Sequence, residues 1–152
     1  MINRRVAVRA IVTNGEEILC VKLKKFPGTE SIEAQDFWCT PGGGVDIGEP
    51  LLEALEREML EETGVIPVIG KLLYVQQFQH NDWEHLEFFF HVTNFDDYND
   101  INLDNTTHGG LEIAEVGFII PGDKNVMPEF LTYTDISKDV LSDSTKFFNN
   151  LN

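Results

Sequence analysis

Residues 43–65 read GGVDIGEPLLEALEREMLEETGV, and they combine a glycine-rich turn with a strong helix signal and a crowd of acidic side chains. Pro50 suits the first position of a helix, where its missing N–H group is not needed. Gly64 suits the left-handed residue that commonly ends a helix. The sequence therefore predicts a helix over about residues 50–63 that follows a turn and ends at glycine.

Three carboxylates of this predicted helix fall on one turn. Glu58 precedes Glu61 and Glu62 by three and four residues, and side chains at these spacings are neighbours on a helix surface. At an effective dielectric constant near ~20, two unit charges ~4 Å apart repel each other by ~4 kcal/mol. Either protonation or a cation must relieve this repulsion. Carboxylate oxygens suit Mg²⁺, Mn²⁺ or Ca²⁺, so the helix predicts a site for a divalent cation that also carries phosphate.

A helical wheel at about 100° per residue separates the two sides of this helix. Glu58 and Glu62 fall at the edge of an apolar stripe, Glu61 lies further round, and Arg57 points away. The stripe consists of Leu51, Leu52, Leu55 and Met59. Two carboxylates are therefore expected beside the core, at the margin of a cleft.

The rest of the chain predicts strands on both sides of the helix. Asn14-Gly15 favours a tight hairpin turn between two apolar runs that span residues 6–23. Further strands are predicted over residues 37–39, 71–79, 83–93 and 112–120. The element order β-β-β-α-β-β-β-α predicts one α/β domain over residues 1–152, with helices packed on a mixed sheet.

The remaining segments predict less regular structure. Loops are expected over residues 25–36 and 94–110, and the glycine run at residues 41–44 is expected to interrupt regular structure. Residues 128–150 are weakly helical, and the best helix signal lies toward their end.

A formal net charge of -15 argues against long nucleic acids and anionic membranes as partners, because both attract clustered lysine and arginine. No apolar run approaches the ~20 residues of a membrane span, and basic residues interrupt the N-terminal segment where a signal peptide needs an uncharged core. Cys20 and Cys39 are too few for a disulfide framework or a zinc site. These features predict a cytoplasmic protein.

Residues 43–65 resemble the Nudix box, whose pattern is GX5EX7REUXEEXGU with U an apolar residue. Gly43 begins the match, Glu49 follows after five residues, and REMLEETGV at residues 57–65 completes it, so every specified position is met. The resemblance implies an α/β/α sandwich with a mixed β-sheet, which agrees with the element order above. It also implies a hydrolase that uses a divalent metal to cut the pyrophosphate bond of a nucleoside diphosphate linked to another group.

Metal ligands follow from this resemblance. Mg²⁺, or Mn²⁺ in its place, is implied to bind Glu58, Glu61, Glu62 and the backbone carbonyl of Gly42. The residues implied to support the geometry of these ligands are Arg57, Glu49, Gly43 and Gly64. A pyrophosphate repels an attacking hydroxide, so the metal must both neutralise the phosphates and activate the water.

A general base is also required, and members of the family take it either from the box or from a later loop. Glu58 is the box candidate. Glu112 is the loop candidate, and Glu115 is its nearest rival. The resemblance leaves the choice among these carboxylates open.

Three further residues are candidates for substrate binding. Arg9 and Lys22 belong to the basic opening segment of an acidic chain and are candidate phosphate contacts. Phe89 is a candidate contact because it shares a predicted strand face with the polar residues His85, Glu87 and His91.

The predicted substrate is a small nucleotide derivative. Sequence signals typical of ADP-ribose, dinucleoside polyphosphate and coenzyme A hydrolases are absent from residues 79–82 and 26–39, which leaves nucleoside triphosphates by elimination. Two alternatives stay open, namely a Nudix-fold domain that binds a nucleotide or partner without hydrolysis, and an acidic interaction protein. A homodimer is also an open alternative, since dimers are common in the family.

Overall fold

In the computed structural model, which describes residues 1–28 and 33–151, the described chain forms nine strands and one long helix. The strands are β1 (Asn3–Asn14), β2 (Glu17–Leu23), β3 (Trp38–Cys39), β4 (Gly42–Gly44), β5 (Ile69–His80), β6 (Trp83–Val92), β7 (Ile113–Ile119), β8 (Val126–Met127) and β9 (Lys146–Asn150). The helices are α1 (Leu51–Thr63), α2 (Gly109–Glu112) and α3 (Ile136–Asp139), and short 3-10 helices cover Phe95–Tyr98, Leu103–Asn105 and Glu129–Thr132.

The strands form the mixed sheet that the sequence predicts. Hydrogen-bonded neighbours follow the order β8-β3-β2-β1-β6-β5-β9, with β4 added beside β1 and β7 beside β2. Strand β1 runs parallel to β6, from Asn3 opposite Trp83 to Val12 opposite Val92. Strand β5 pairs antiparallel with β6 and parallel with β9.

The predicted hairpin at Asn14-Gly15 is confirmed. Gly15 has a φ angle of 66°, and Thr13 and Asn14 pair with Ile18 and Glu17 on the returning strand. Beyond these pairs the strands take different partners, since β1 joins β6 whereas β2 joins β7. The hairpin therefore links the two halves of the sheet.

Helix α1 begins and ends within one residue of its predicted limits. Pro50 precedes the first helical residue, because its ψ angle of 143° is extended. Gly64 has a φ angle of 75°, and its N–H group donates to the carbonyl of Leu60 over 3.0 Å. Glycine adopts this left-handed conformation without the steric cost that other residues meet.

One face of the sheet is covered by α1. Ala54, Leu55 and Met59 are fully buried there among apolar side chains of β1 and β6. Leu52 is half exposed, so its predicted place in the apolar stripe is wrong. The helix buries a narrower stripe than the wheel suggests, centred on Leu55 and Met59.

The opposite face is covered by shorter helices. Phe130 and Leu131, in the 3-10 helix, and Ile136, at the start of α3, pack against Tyr74 of β5 and Phe89 of β6. Helical elements therefore lie on both faces, and the predicted α/β/α arrangement is confirmed. Within the described residues, no helix combines the length and the apolar character that a membrane crossing requires.

The glycine run differs from its prediction, because residues 42–44 form strand β4 instead of interrupting regular structure. Gly42 has a φ angle of 137°, and a Cβ atom at this position would lie 2.1 Å from the carbonyl oxygen of Val8. Strand β1 approaches so closely that only glycine fits. The run marks close backbone packing as well as a change of direction.

The C-terminal segment also differs from its prediction. Residues 146–150 form the edge strand β9 instead of a helix, and they pair with β5 from Lys146 opposite Tyr74 to Asn150 opposite Phe78. Strand formation depends on partners distant in the sequence, which a local pattern does not reveal. For the same reason the two-residue strand β8 escapes prediction.

The two predicted loops have different outcomes. Residues 94–110 contain two 3-10 helices and the beginning of α2. The predicted loop over residues 25–36 includes residues 29–32, which lie outside the described residues.

A buried carboxylate fixes strand β9 to the fold. Asp139 accepts a hydrogen bond of 2.7 Å from the hydroxyl of Tyr74, and its other oxygen lies 2.8 Å from Nζ of Lys146. Asp139 is nearly fully buried, and a buried carboxylate is costly unless it has such partners. The contact joins α3 to both β5 and β9.

We expect Tyr74→Phe to destabilise the protein, because it removes the hydroxyl donor and leaves Asp139 with fewer partners. Hydrogen bonds to charged groups contribute about 1.5–3 kcal/mol, which sets the expected loss in the free energy of unfolding measured by urea denaturation. Tyr133→Phe is the matched control, because Tyr133 is 70% exposed. Equal stability of Tyr74→Phe and the wild type would contradict this account of β9.

Candidate active site

Arg57 connects strand β4, which we call the glycine strand, to helix α1. Its Nε and Nη2 atoms donate to the two oxygens of Glu49 over 2.8 and 2.9 Å, which is a bidentate pair. Nη2 also donates to the carbonyl of Gly44, and Nη1 donates to Glu58 over 3.0 Å and to Glu61 over 3.4 Å. The wheel prediction that Arg57 points away is therefore wrong, because the long side chain turns back across the carboxylates. Its hydrogen bonds lower the pKa of Glu49.

Glu62 is the most buried of the three crowded carboxylates, since its residue is 4% exposed. Its Oε2 accepts a hydrogen bond of 3.0 Å from the backbone N–H group of Gly42. Burial raises the pKa of Glu62 to about 8. A carboxylate in this position favours a proton or a nearby cation at neutral pH.

Glu58 lies directly against the glycine strand. A Cβ atom at Gly43 would lie 2.6 Å from the carboxyl carbon of Glu58, so any side chain at residue 43 would occupy the space of the carboxylate. Burial raises the pKa of Glu58, and the hydrogen bond from Arg57 opposes that rise. Glu58 and Glu62 therefore lie beside the buried stripe of α1, as the wheel predicts.

A second segment lies against the acidic turn, by which we mean the turn of α1 that carries Glu58, Glu61 and Glu62. This segment contains His108 and Glu112. The N–H group of His108 donates to the carbonyl of Glu61 over 2.9 Å, and Nδ1 of His108 lies 3.1 Å from Oε2 of Glu61. The carboxylate of Glu112, four residues later, adds a small contribution to the raised pKa of Glu62, after the larger effect of burial. Its rival Glu115 is exposed and pairs with Lys22 over 3.7 Å.

A cavity of about 840 Å³ lies near the start of β4, and Thr40 is part of its lining. Arg9 lies in its wall, and Nη1 of Arg9 donates to the carbonyls of Thr40 and Gly42 over 3.4 and 3.2 Å. Burial lowers the pKa of Arg9, but the carboxylates of Glu87 and Glu62 more than offset this, so the pKa is raised and the guanidinium stays charged. Arg9 thus connects the cavity to the glycine strand.

The donor set of the acidic turn fits a hard divalent cation, because it consists of carboxylate oxygens and a backbone carbonyl. No three His, Cys, Asp or Glu side chains of residues 1–28 and 33–151 are already gathered into a metal-binding group. Arg57 holds Glu58 and Glu61, and Arg9 holds the carbonyl of Gly42. A cation that uses these oxygens must compete with both guanidinium groups.

The sequence model of the NUDIX domain matches residues 3–130. This chain belongs to the Nudix hydrolase family. A Bacillus subtilis (strain 168) protein named "Putative 8-oxo-dGTP diphosphatase" is 32% identical over 125 residues, which cover 79% of this chain and 74% of that protein. The ADP-ribose pyrophosphatase of Methanocaldococcus jannaschii is 40% identical over 70 residues, which cover 46% of this chain and 38% of that protein.

Solved structures agree with the Nudix fold. The solution structure of the E. coli ORF135 protein matches with a TM-score of 0.68 at 19% sequence identity. The match covers 94% of this chain and 96% of that chain. At this level of identity the likeness concerns the fold alone.

The structure of this Nudix hydrolase brings together many of the predicted site residues. Those around the acidic turn are Gly42, Gly43, Glu49, Arg57, Glu58, Glu61, Glu62 and Glu112. Gly64 ends the helix, and Arg9 lies in the cavity wall.

Phe89 and Lys22 differ from the other candidates. Phe89 has no exposed surface and packs edge-on against Tyr74 and Phe130, so its prediction as a substrate contact is wrong. Strand alternation identifies the face of β6 to which a residue belongs, but it does not show whether that residue is buried in the core or lines the cavity. Nζ of Lys22 lies 5.4 Å from the centre of the Trp38 ring, and Lys22 is not among the described residues that line the cavity.

Sequence reasoning missed several polar residues of the cavity, among them Thr40, Gln76 and Glu87. All three are buried. A signal was available for Glu87, which lies between Leu86 and the run Phe88-Phe89-Phe90, whereas Gln76 lies in a mostly polar stretch of β5 and has no such signal.

We expect Gly109→Ala to disturb the contact between α2 and the acidic helix. A Cβ atom at Gly109 would lie 2.2 Å from Oγ1 of Thr106 and 2.4 Å from the carbonyl oxygen of Glu62. Such overpacking costs about 1–3 kcal/mol of the free energy of unfolding, which urea denaturation measures. Gly117→Ala is the control, because a Cβ atom at Gly117 meets nothing within 4 Å. Identical unfolding midpoints for the two variants would refute this packing account.

Proposed function

We propose that this Nudix hydrolase uses Mg²⁺ or Mn²⁺ to cleave the diphosphate bond of a small nucleotide. The preferred candidate substrate is a nucleoside triphosphate. The observation that carries this proposal is the contact of helix α1 with strand β4 near a cavity of about 840 Å³. Glu62 accepts a hydrogen bond from Gly42, Glu58 lies against Gly43, and Arg57 donates to both Glu58 and Glu61. Ligand pockets commonly measure about 300–1,000 Å³, so the cavity has room for a nucleotide.

The proposed metal ligands are Glu58, Glu61, Glu62 and the backbone carbonyl of Gly42. When bound, a divalent cation neutralises the phosphates and lowers the pKa of water. Arg57 holds Glu58 and Glu61 in position, and Glu49 in turn fixes the guanidinium group of Arg57. Arg9 carries a positive charge to the border of the cavity and the acidic turn, where it can bind a phosphate oxygen.

We propose Glu112 as the general base. Water adds to one phosphorus atom as the bridging P–O bond breaks, and the base accepts the proton that the water loses. Glu58 accepts a hydrogen bond of 3.0 Å from Arg57 and is itself a proposed metal ligand, so its oxygens already have partners. Glu112 approaches Glu62 from a separate segment, which supports its choice over Glu58.

The substrate class rests on elimination and on relatives. The B. subtilis relative is named for the nucleoside triphosphate 8-oxo-dGTP, which agrees with a triphosphate. The M. jannaschii relative is named for ADP-ribose, but its match covers 38% of that protein. A catalytically silent Nudix domain is the second candidate, although a domain that only binds has no physical need for three crowded carboxylates.

Four further expectations belong to this proposal. We propose that residues 1–152 act as a single domain and that the protein works in the cytoplasm, which agrees with its free cysteines Cys20 and Cys39. The net charge of -15 supports small nucleotides over long nucleic acids and membranes as partners. A homodimer stays a prediction.

We expect Glu58→Gln and Glu62→Gln to abolish turnover of nucleoside triphosphates while leaving the fold intact. Each variant removes one charge from the metal ligands, so the increase in melting temperature caused by Mg²⁺ with nucleotide should disappear as well. Glu56→Gln is the control, because Glu56 lies on the exposed side of the same helix. Removal of metal with EDTA should stop turnover of nucleoside triphosphates by the wild-type protein.

Full activity in both Glu58→Gln and Glu62→Gln would contradict the assignment of metal-dependent hydrolysis to these carboxylates. Binding of nucleotide without turnover in the wild type, across triphosphates, nucleotide sugars, ADP-ribose and dinucleoside polyphosphates, would instead favour the silent domain.

We expect Glu112→Gln to lower kcat by about 10²–10⁴-fold, the usual contribution of a general base. The pH–rate profile should lose its acidic limb, while the Mg²⁺-dependent increase in melting temperature should remain. Glu115→Gln provides the comparison and should retain near-normal turnover, since Glu115 pairs with Lys22. A profile of Glu112→Gln that matches the wild type removes Glu112 from the mechanism.

A further inference from the structure

The cavity near the start of β4 has polar groups without partners in its wall. Among residues 1–28 and 33–151, four buried side-chain oxygens lack a hydrogen-bond partner, and three of them belong to Gln35, Thr40 and Gln76, which line this cavity. Thr40 is 1% exposed and Gln76 is 6% exposed. Buried polar groups in folded proteins are nearly always hydrogen-bonded, so this concentration indicates a site for a polar ligand.

Glu87 adds a carboxylate to the same wall. It lies directly opposite Gln76 in the pairing of β5 with β6, and such partners share one face with Cβ atoms about 4.5–5.5 Å apart. Glu87 is buried, and Nη2 of Arg9 stays 3.7 Å from its Oε1, which is longer than a hydrogen bond. An ionised carboxylate only accepts hydrogen bonds, so this wall calls for donors on the ligand.

Flat apolar groups lie beside these polar residues. Phe78 lies two residues beyond Gln76 on the same strand face, and its ring stacks on His85 with ring centres 4.6 Å apart and planes within 4°. Phe37, Met127, Leu23 and Pro128 also contribute apolar surface to the wall. A planar ring with polar edges matches such a combination of stacking surfaces and hydrogen-bonding groups.

We propose that Glu87, Gln76 and Thr40 read the edge of the substrate's base and select a base that presents adjacent N–H donors. This inference rests on the proposed function, because it assigns the base of the nucleotide to the cavity and its phosphates to the acidic turn. Guanine has the longest such edge among the common bases, with N1–H beside the 2-amino group. Adenine and cytosine present one amino group beside an acceptor, and uracil presents one N–H group between two acceptors.

The test compares GTP, ITP and ATP as competing substrates in an equimolar mixture with Mg²⁺. Chromatography of the products gives the ratios of kcat/KM. The expected kcat/KM for GTP exceeds that for ATP by about tenfold or more, the discrimination typical of a bidentate contact to a base. ITP should fall between them, because its base lacks the 2-amino group.

Glu87→Gln replaces the carboxylate with an amide of the same shape. We expect the preference for GTP over ATP to fall to about threefold or less, because a bidentate acceptor is lost. If Glu87 only balanced the charge of Arg9, the variant would lower kcat/KM for all three nucleotides equally. Glu84→Gln is the matched control, because Glu84 lies on β6 outside the cavity lining and contacts Arg4 and Gln77. It should keep the wild-type ratios.

Each outcome separates this inference from the proposed hydrolysis. Equal kcat/KM for GTP and ATP in the wild type, or unchanged ratios in Glu87→Gln, would overturn base selection and leave hydrolysis standing. If none of the three is hydrolysed, calorimetry measures their binding. Tighter binding of GTP that depends on Glu87 would then support base selection and reject hydrolysis, whereas equal or absent binding would overturn base selection.

Discussion

The organisation of the acidic turn depends on the guanidinium group of Arg57. Without a positive charge between them, Glu58 and Glu61 would repel each other across a few ångströms of partly buried space, at a cost of several kcal/mol. Arg57 donates to both and is itself fixed by the bidentate contact with Glu49. One side chain therefore stabilises the helix, connects it to the preceding strand and supplies the positive charge that lets Glu58 and Glu61 stay ionised close together.

Glycine is the second constraint, because it lets backbone enter the site. Side chains at Gly42 and Gly43 would overlap the carbonyl of Val8 and the carboxylate of Glu58. Gly109 allows an equally close approach of α2 to the carbonyl of Glu62. Three backbone segments thus meet around the acidic helix, and this contact brings α2, which ends at Glu112, against the helix that carries Glu58, Glu61 and Glu62.

The sequence predicts those features of the fold that depend on local signals. Pro50 and Gly64 define the helix to within one residue, and Asn14-Gly15 defines the hairpin. Strand β9 depends on pairing with β5, more than 60 residues earlier in the chain, so its local pattern suggests a helix instead. Long-range pairing of this kind has no signature in a short window of sequence.

The same distinction holds at the site. Helical spacing brings Glu58 and Glu62 beside the core, but it does not reveal that Arg57 turns back, since that depends on Glu49 and on the glycine strand. Alternation along β6 identifies the face shared by Glu87 and Phe89. Only the packed structure shows that Phe89 lies in the core while Glu87 lines the cavity.

Strand β9 has a consequence for the shape of the cavity. The segment that matches the NUDIX domain ends at residue 130, yet Asn150, at the end of β9, lines the cavity. The acidic turn therefore comes from the part of the chain that matches the family, whereas Asn150 contributes to the cavity from a later strand outside it. Changes at Asn150 can therefore reshape one border of the cavity without altering the helix that carries the carboxylates.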